Sequence, residues 1–243
     1  MDRWKRSVDV ARVVELAPNE RYAFVAKSRA GKSLFAMLVV CRIIPDDPRL
    51  AQGWQCWWVD TKGDRRDQER LYKWKFHDFK DRHGTTRRLI KVPFEKNNPK
   101  STVEAVNDIC YKALARGGVL LVIDEYRHVC PSTRTASPGL LHVFQRGGGL
   151  DVGVIGQTQE PVDVPRQLIS QASHIILGNV SYPHDITYCK NIFPGYHPPL
   201  RRYKDKYGFY WGWIDGDGEW EYHPHQLHWD QTREDLMKAQ ASS

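Results

Sequence analysis

The chain has 243 residues, of which 41% are hydrophobic and 27% charged, a composition typical of a soluble globular protein with one large core. Its apolar runs are only as long as a strand and its first residues carry no apolar leader, so we expect neither a transmembrane helix nor a signal peptide. The net charge of +7 favours nucleic acid as a partner over a merely soluble basic surface, and five scattered cysteines without a CxxC pair argue against a disulfide framework or a zinc site.

The predicted elements alternate between strands and helices. Residues 1–20 form an irregular or helical lead-in, and a first strand at 22–26 precedes an apolar helix at 32–44. A second strand at 54–60 precedes a charged, helix-like segment at 64–88. The following predicted elements are a helix at 101–118, a strand at 119–125, a helix at 140–149, a strand at 151–159, a helix at 165–173, a strand at 174–180 and a helix at 185–193.

Two aromatic strands close the sequence. They are "YGFYWGWI" at 207–214 and "EWEYHPH" at 219–225, joined at "DGDG", which is a hairpin signal. Strands that alternate with helices predict a doubly wound α/β fold. We therefore expect a mainly parallel sheet with helices on both faces, plus a C-terminal aromatic β-hairpin.

The segment "AKSRAGKS" at 26–33 lies between the first strand and the first helix, where a phosphate-binding loop is found. Its backbone amides can point at a phosphate, Lys32 can reach the β- and γ-phosphates, and Ser33 can ligate Mg²⁺. The glycine that usually opens such a loop is replaced by Ala26, which resists a positive φ. The predicted nucleotide-binding residues are Ala26, Lys27, Ser28, Arg29, Ala30, Gly31, Lys32, Ser33 and Leu34.

The apolar run "VLLVIDE" places two carboxylates at the end of a buried strand. Ligands bind at the carboxyl ends of strands in open α/β sheets, so Asp124 can hold Mg²⁺ and Glu125 can activate a water for attack on the γ-phosphate. A switch GTPase would carry a guanine-reading NKxD motif, and the sequence contains none. The pair predicts ATP as the nucleotide and Mg²⁺ as its metal.

Three further stretches carry a family resemblance. They are "WWVDTKGD" at 57–64, "VGVIGQTQEPVDVPRQLISQASHIIL" at 152–177 and "FQRGGG" at 144–149. With them the chain resembles the FtsK/HerA superfamily of DNA-pumping ATPases over residues 20–180, and looks most like the genome-packaging ATPases of tailless, internal-membrane (PRD1-like) viruses. The resemblance implies an ASCE/RecA-like P-loop NTPase fold. We assign the ATPase core to 21–195, a lead-in to 1–20, and a C-terminal hairpin and tail, packed on the core, to 196–243.

The resemblance also implies roles for single side chains beyond the loop and the acidic pair. Gln159 would sense the γ-phosphate, with Gln157 as a weaker rival. Arg146 would be an arginine finger that reaches the site of a neighbouring subunit. Two extra residues separate Arg146 from Gln159 relative to the family's spacing, so Arg134 and Arg166 stay as rivals for that role. The predicted catalytic residues are Lys32, Glu125, Arg146 and Gln159, and the predicted metal ligands are Ser33 and Asp124.

Movement along duplex DNA requires contacts to phosphates rather than base reading. Basic stretches at 64–88, around 134 and at 199–208 are the candidates to face the channel of a ring. For each stretch, the alternative is a solvated charged face. The predicted DNA-contacting residues are Arg65, Arg66, Arg87, Arg88, Arg134, Arg201 and Arg202.

The sequence thus predicts an ATP-driven translocase of double-stranded DNA, a viral genome-packaging motor that works as a homo-oligomeric ring of five or six subunits. Expected further partners are a capsid vertex or membrane-associated packaging proteins. The expected location is the host cytoplasm or a packaging vertex of the virion. Two alternatives stay open: an assembly, secretion or conjugation ATPase, and a nucleotide-dependent DNA- or protein-binding module with little turnover.

Overall fold

Strands and helices alternate along the computed structural model, which describes residues 17–28, 30–79, 84–92, 95, 98–132 and 134–198, and the backbone of 209–213 and 220–223. The strands are β1 (Arg21–Val25), β2 (Gln55–Asp60), β3 (His77–Asp78), β4 (Arg87–Lys91), β5 (Val119–Ile123), β6 (Val152–Thr158), β7 (His174–Leu177), β8 (Phe209–Trp213) and β9 (Trp220–His223). The helices are α1 (Lys32–Ile43), α2 (Arg65–Lys73), α3 (Pro99–Arg116), α4 (Pro138–Arg146), α5 (Arg166–Ser170) and α6 (Pro183–Ile192).

These strands form one sheet in the order β3-β4-β2-β5-β6-β1-β7-β8-β9. Every pairing from β3 to β7 is parallel, and β8 and β9 are added antiparallel at the β7 edge. The predicted doubly wound, mainly parallel sheet with a C-terminal hairpin is therefore confirmed. The "DGDG" segment between the hairpin strands, the lead-in at 1–16 and the tail after 223 lie outside the described residues.

The core lies in two layers, one on each face of the sheet. Strand β5 shows this directly, because all five of its residues are buried and successive ones belong to opposite layers. Leu120 and Val122 pack with residues of α1, whereas Leu121 and Ile123 pack with residues of α3 and α4. Helices on both faces bury a parallel sheet completely, which is why β5 reads as an unbroken apolar run.

The charged segment at 64–88, which we predicted to be helix-like, is helical only in its first part. Helix α2 ends at Lys73, the backbone takes a positive φ of 62° at Lys75, and the chain then returns to the sheet as β3 and β4. Strand β4 was missed because it begins with two arginines, which resemble a solvated face. The structure buries both of them.

Arg87 has only 3% of its surface exposed, and its guanidinium donates hydrogen bonds to backbone carbonyls. Nε and Nη2 lie 3.1 and 3.0 Å from the Ile44 oxygen, and Nη1 lies 3.0 Å from the Trp74 oxygen. The Arg88 guanidinium lies 5.2 Å from the centre of the Phe79 ring, with 7% of the residue exposed. The predicted DNA contacts of Arg87 and Arg88 are therefore wrong, because both side chains are committed to the inside of the fold.

Candidate nucleotide site

The predicted site residues gather at the carboxyl edge of the parallel strands. They follow β1, β2, β5 and β6, and β6 lies between β1 and β5 in the sheet. The phosphate loop and the acidic pair therefore follow strands that are not neighbours, with Gln159 at the end of the strand between them.

Hydrogen bonds from both neighbouring strands fix the backbone of the phosphate loop. The Ala26 amide donates to the Thr158 oxygen at 3.2 Å, and the Lys27 amide donates to the Asn179 oxygen at 2.7 Å. Gly31 has φ 92°, a left-handed conformation that favours glycine, and it caps α1. Of the predicted loop residues only Arg29 lies outside the described part of the chain.

Ala26 departs from the usual glycine without strain. It is described in the structure and is not among the residues with a positive φ, so an alanine backbone suits the position. Its methyl group instead fills space beside Gly178, where an added Cβ would lie 2.7 Å from the Ala26 Cβ. The Ala26 methyl group thus fits only because residue 178 is a glycine.

Lys32 lies inside the loop that it serves. Its Nζ donates to the Ala26 oxygen at 2.5 Å and to the Lys27 oxygen at 3.0 Å, and only 8% of the residue is exposed. Burial, together with the positive charge of Lys62, lowers the pKa of Lys32 to about 8. A bound phosphate would replace these carbonyls as the partner of Lys32 Nζ, and its negative charge would balance the charge of the ammonium.

Ser33 and Asp124 meet across the sheet, as their predicted metal role requires. The Ser33 Oγ donates to Asp124 Oδ1 at 3.4 Å, and 2% of Asp124 is exposed. Burial raises the pKa of Asp124 to about 6, against the opposing charge of Lys62. Hydroxyl and carboxylate oxygens are the ligands that Mg²⁺ prefers, so the residues present fit this ion.

Gln159 contacts the carboxylate that we predicted to activate water. Its Nε2 donates to Glu125 Oε2 at 3.1 Å, and its backbone amide donates to Oε1 at 3.4 Å. Its rival Gln157 is fully buried within β6, and neither amide atom of Gln157 has a hydrogen-bond partner among the described residues. The geometry favours Gln159 over Gln157 as the side chain that shares a site with Glu125.

Sequence reasoning missed Lys62 as a site residue. Its Nζ donates to the backbone carbonyl oxygen of Asp124 at 3.0 Å and to Asp124 Oδ1 at 3.1 Å. The same Nζ lies 4.0 Å from Glu125 Oε2. Burial would lower the pKa of Lys62, but the charges of the two carboxylates and the hydrogen bond raise it, so this lysine is a cation at neutral pH. The sequence feature that could have identified it is the Lys-Gly pair in "WWVDTKGD", which we used only as evidence of the family resemblance.

A second missed contact links the loops after β5 and β6. Arg127, two residues past Glu125, forms an ion pair with Glu160, the residue after Gln159. Its Nη1 also lies 3.4 Å from Asp163 Oδ2. The pair is partly exposed, and it ties together the two loops whose Glu125 and Gln159 side chains meet.

The three arginines considered for the finger lie at different edges of the sheet. Arg146 ends α4, is exposed and precedes the start of β6, so it lies at the amino edge, opposite Lys32 and Glu125. Arg134 and Arg166 are exposed and follow β5 and β6 on the carboxyl side. Arg146 therefore cannot serve the site of its own chain, and its role across subunits stays a prediction.

The remaining DNA candidates divide into two groups. Arg65 and Arg66 are exposed at the start of α2, and Arg134 is exposed in the loop after β5. Arg201 and Arg202 lie outside the described residues. Within the described part of the chain, no helix is long and apolar enough to cross a membrane.

Comparison with known proteins identifies a family and several similar structures. A family model described as an AAA domain matches residues 15–148, over half of the chain. The DNA-packaging ATPase B204 from Sulfolobus turreted icosahedral virus has a similar structure, with a TM-score of 0.62 and 15% identity over 87% of this chain and 99% of that chain. The genome packaging NTPase B204 from Sulfolobus turreted icosahedral virus 2, in complex with ATP-gammaS, has a TM-score of 0.59 and 14% identity over 86% of this chain and 99% of that chain.

A third similar structure is VirB4 of Thermoanaerobacter pseudethanolicus, with a TM-score of 0.59 and 11% identity over 88% of this chain and 91% of that chain. No curated protein matches the chain in sequence. At these identities the three structures share the fold of the chain.

Proposed function

This chain belongs to the AAA domain family of P-loop ATPases, and from that premise we propose that it hydrolyses ATP to move double-stranded DNA during viral genome packaging. One observation carries the proposal. Side chains that follow separate strands converge at one edge of the sheet, where Ser33 contacts Asp124 and Gln159 contacts Glu125. A binding module that only retained nucleotide would need the first contact and not the second.

Each residue of the site has a task in ATP hydrolysis. The loop amides and Lys32 bind the β- and γ-phosphates, with Lys32 leaving the carbonyls of Ala26 and Lys27. Ser33 and Asp124 would hold Mg²⁺, which when bound neutralises charge on the phosphates. Glu125 accepts a proton from the attacking water, and Gln159 orients its carboxylate.

The choice of DNA as the substrate rests on three supports. The fold is similar to that of a DNA-packaging ATPase. The chain carries a net charge of +7, which suits a polyanion. Arg65, Arg66 and Arg134 are exposed on the loops and helix start of the carboxyl edge, where movements of the nucleotide site would reach them. Such contacts bind phosphates without reading sequence.

The proposed assembly is a ring in which Arg146 completes the site of a neighbour. Finger and site lie at opposite edges of the same sheet, so one copy must meet the next head to tail. Heterologous contacts of this kind close into rings when the rotation allows. We propose five or six copies acting on duplex DNA in the host cytoplasm, at a packaging vertex.

The test is steady-state ATP hydrolysis with and without duplex DNA across a protein concentration series. We expect turnover that DNA stimulates, that rises more steeply than protein concentration, and that Glu125→Gln lowers by about 10²–10⁴-fold. Glu104→Gln changes an exposed carboxylate of α3 and serves as the matched control.

Turnover indifferent to both DNA and concentration would overturn the translocase. ATP binding without turnover in the wild-type protein would instead identify the nucleotide-dependent assembly module. Turnover stimulated by a protein substrate and not by DNA would identify a secretion ATPase.

A further inference from the structure

Lys62 is aimed at the acidic strand end by a turn with little freedom. The Asp60 carboxylate closes this turn, since its Oδ1 accepts the amides of Lys62 at 3.0 Å and Gly63 at 2.9 Å. Its Oδ2 accepts Gln68 Nε2 at 2.7 Å, which joins the turn to α2. Gly63 has φ 67°, which suits glycine. The Lys62 side chain therefore leaves a fixed backbone.

The Lys62 ammonium binds the same oxygen that a metal would take. Asp124 Oδ1 lies 3.1 Å from Lys62 Nζ and 3.4 Å from Ser33 Oγ, the other predicted metal ligand. The lysine thus contacts Asp124 Oδ1, the oxygen that we expect to ligate Mg²⁺ together with Ser33. A Mg²⁺ ion on that oxygen would lie close to the Lys62 ammonium, and repulsion between the two cations disfavours both contacts at once.

Charge explains why a cation lies beside Asp124 and Glu125. The side chains of Asp124 and Glu125 are only 3% and 5% exposed, and two adjacent buried carboxylates without counter-charge are strongly unfavourable. Lys62, whose side chain is 20% exposed, is the lysine in direct contact with Asp124. Its side chain has a route to solvent, which the two carboxylates lack.

We propose that Lys62 holds the place of the metal on Asp124 and is displaced from it when Mg·ATP binds, so that the protein takes up Mg²⁺ only together with nucleotide. The inference rests on the proposed ATPase site and is independent of DNA translocation. The ammonium already lies 4.0 Å from Glu125 Oε2, so this carboxylate stays within its reach when the contact with Asp124 is lost. Nucleotide and metal then enter the site as one unit.

Thermal unfolding of the nucleotide-free protein tests this without any ATP or DNA. MgCl₂ is titrated at constant ionic strength against wild type, Lys62→Gln, Lys62→Arg and Lys75→Gln. Lys75 pairs with Asp46 at 2.5 Å away from the site and is the matched control. We expect Mg²⁺ to raise the Tm of Lys62→Gln by about 3–6 °C at tenfold its dissociation constant, and to move the other three by less than about 1 °C.

The site of the response is mapped by adding Asp124→Asn to Lys62→Gln, which should abolish it. A Lys62→Gln protein that responds to Mg²⁺ as wild type does would overturn the proposal and leave Lys62 a purely structural ion pair. Lys62→Met repeats the test if Lys62→Gln does not fold. Mn²⁺ binding by nucleotide-free wild type, followed by electron paramagnetic resonance, needs no Lys62 variant: binding that Asp124→Asn removes would also overturn the proposal. A failure of DNA-stimulated turnover would leave all these readings unchanged.

Discussion

Two glutamines at the end of β6 have opposite surroundings. Gln159 donates to Glu125 at 3.1 Å, whereas Gln157 is fully buried and neither of its amide atoms has a partner in the described structure. A buried amide without partners costs about 1–3 kcal/mol, and an orienting contact at a reacting carboxylate costs about 10–100-fold in activity when lost. The same substitution at the two positions should therefore have different effects.

We expect Gln159→Met to lower ATP turnover by about 10–100-fold with little change in stability. Gln157→Met should leave turnover unchanged and raise the free energy of unfolding by up to about 1 kcal/mol, since it removes an unpaired amide. Turnover and urea unfolding of both variants check this. A loss of turnover in Gln157→Met alone would mean that its amide serves the nucleotide.

The residues that sequence identified share one property, which is a local signal. Lys32 and Ser33 follow a strand and open a helix, and Asp124 and Glu125 end an apolar run, so a short stretch is enough to identify each. Lys62 could not be found in this way. Its role arises because β2 and β5 are neighbours, with Val59 opposite Ile123, and that pairing is a property of the sheet.

At the scale of elements, the phosphate loop and the connection after β7 fit each other through Ala26 and Gly178. An added Cβ at Gly178 would lie 2.7 Å from the Ala26 Cβ, a distance that forces one backbone to move. The Gly178 amide donates to the Val25 oxygen at 2.7 Å, and Val25 immediately precedes Ala26 in the chain. The loop and the connection therefore share a single methyl-sized space.

We expect Gly178→Ala to destabilise the protein by about 1–3 kcal/mol through overpacking. Adding Ala26→Gly vacates the space, so the double variant should recover most of that loss, with a coupling energy of about 1 kcal/mol or more. Urea unfolding of the two single variants and the double variant measures the coupling. Additive effects would show that the two positions do not compete for space.

The elements that sequence predicted well are those whose hydrophobic pattern is regular. Strands β1, β2, β5, β6 and β7 and helices α1, α3, α4 and α6 lie where the pattern placed them, within a few residues at their ends. Strand β4 was missed because its first two residues, both of them buried, are arginines. Only the tertiary structure supplies the Ile44 and Trp74 carbonyls that make Arg87 tolerable in the interior.

At the scale of the whole molecule, one contact between Glu20 and His174 joins the start of β1 to the start of β7. Glu20 Oε2 lies 2.7 Å from His174 Nε2 and accepts the Tyr22 hydroxyl at 2.8 Å, and the Tyr22 and His174 rings stack at 4.7 Å. Burial raises the pKa of Glu20, but the hydrogen bond and charge of His174 outweigh it and hold that pKa below its ordinary value. The carboxylate therefore stabilises the fold when it is ionised.

A depressed carboxyl pKa contributes stability above the unfolded pKa, about 4.3, and loses it as pH falls through the folded pKa. We expect Glu20→Gln to lower the free energy of unfolding by about 1–3 kcal/mol at pH 7, and the gap to wild type to close as the solution becomes acidic. Urea unfolding over a pH series tests this, with Glu104→Gln as an exposed control. A gap that stays constant through acid pH would exclude the ionised Glu20 carboxylate as its source.

Subunit mixing tests the expected arrangement of the ring. Arg146→Ala and Glu125→Gln should each be inactive alone, yet an equal mixture should regain about a quarter of the wild-type rate. In about a quarter of the contacts, the intact site of an Arg146→Ala subunit meets the intact finger of a Glu125→Gln subunit. Hydrolysis by mixed and unmixed variants measures this. Two inactive variants that stay inactive when mixed would remove Arg146 from the role of finger.

The position of β1 has a consequence for how the protein is made. Strand β1 pairs with β6 and β7, and the loop after β1 donates backbone hydrogen bonds to Thr158 and Asn179. The first strand in the chain therefore cannot form its pairings until β6 and β7, more than 120 residues later, have been made. A ribosome delivers the phosphate loop long before it delivers these supports, and such distant pairings form slowly. A nascent or truncated chain that lacks β6 and β7 therefore contains the phosphate-loop sequence but cannot form the nucleotide site. ATP, by binding only after the sheet has closed, selectively stabilises chains that have been finished.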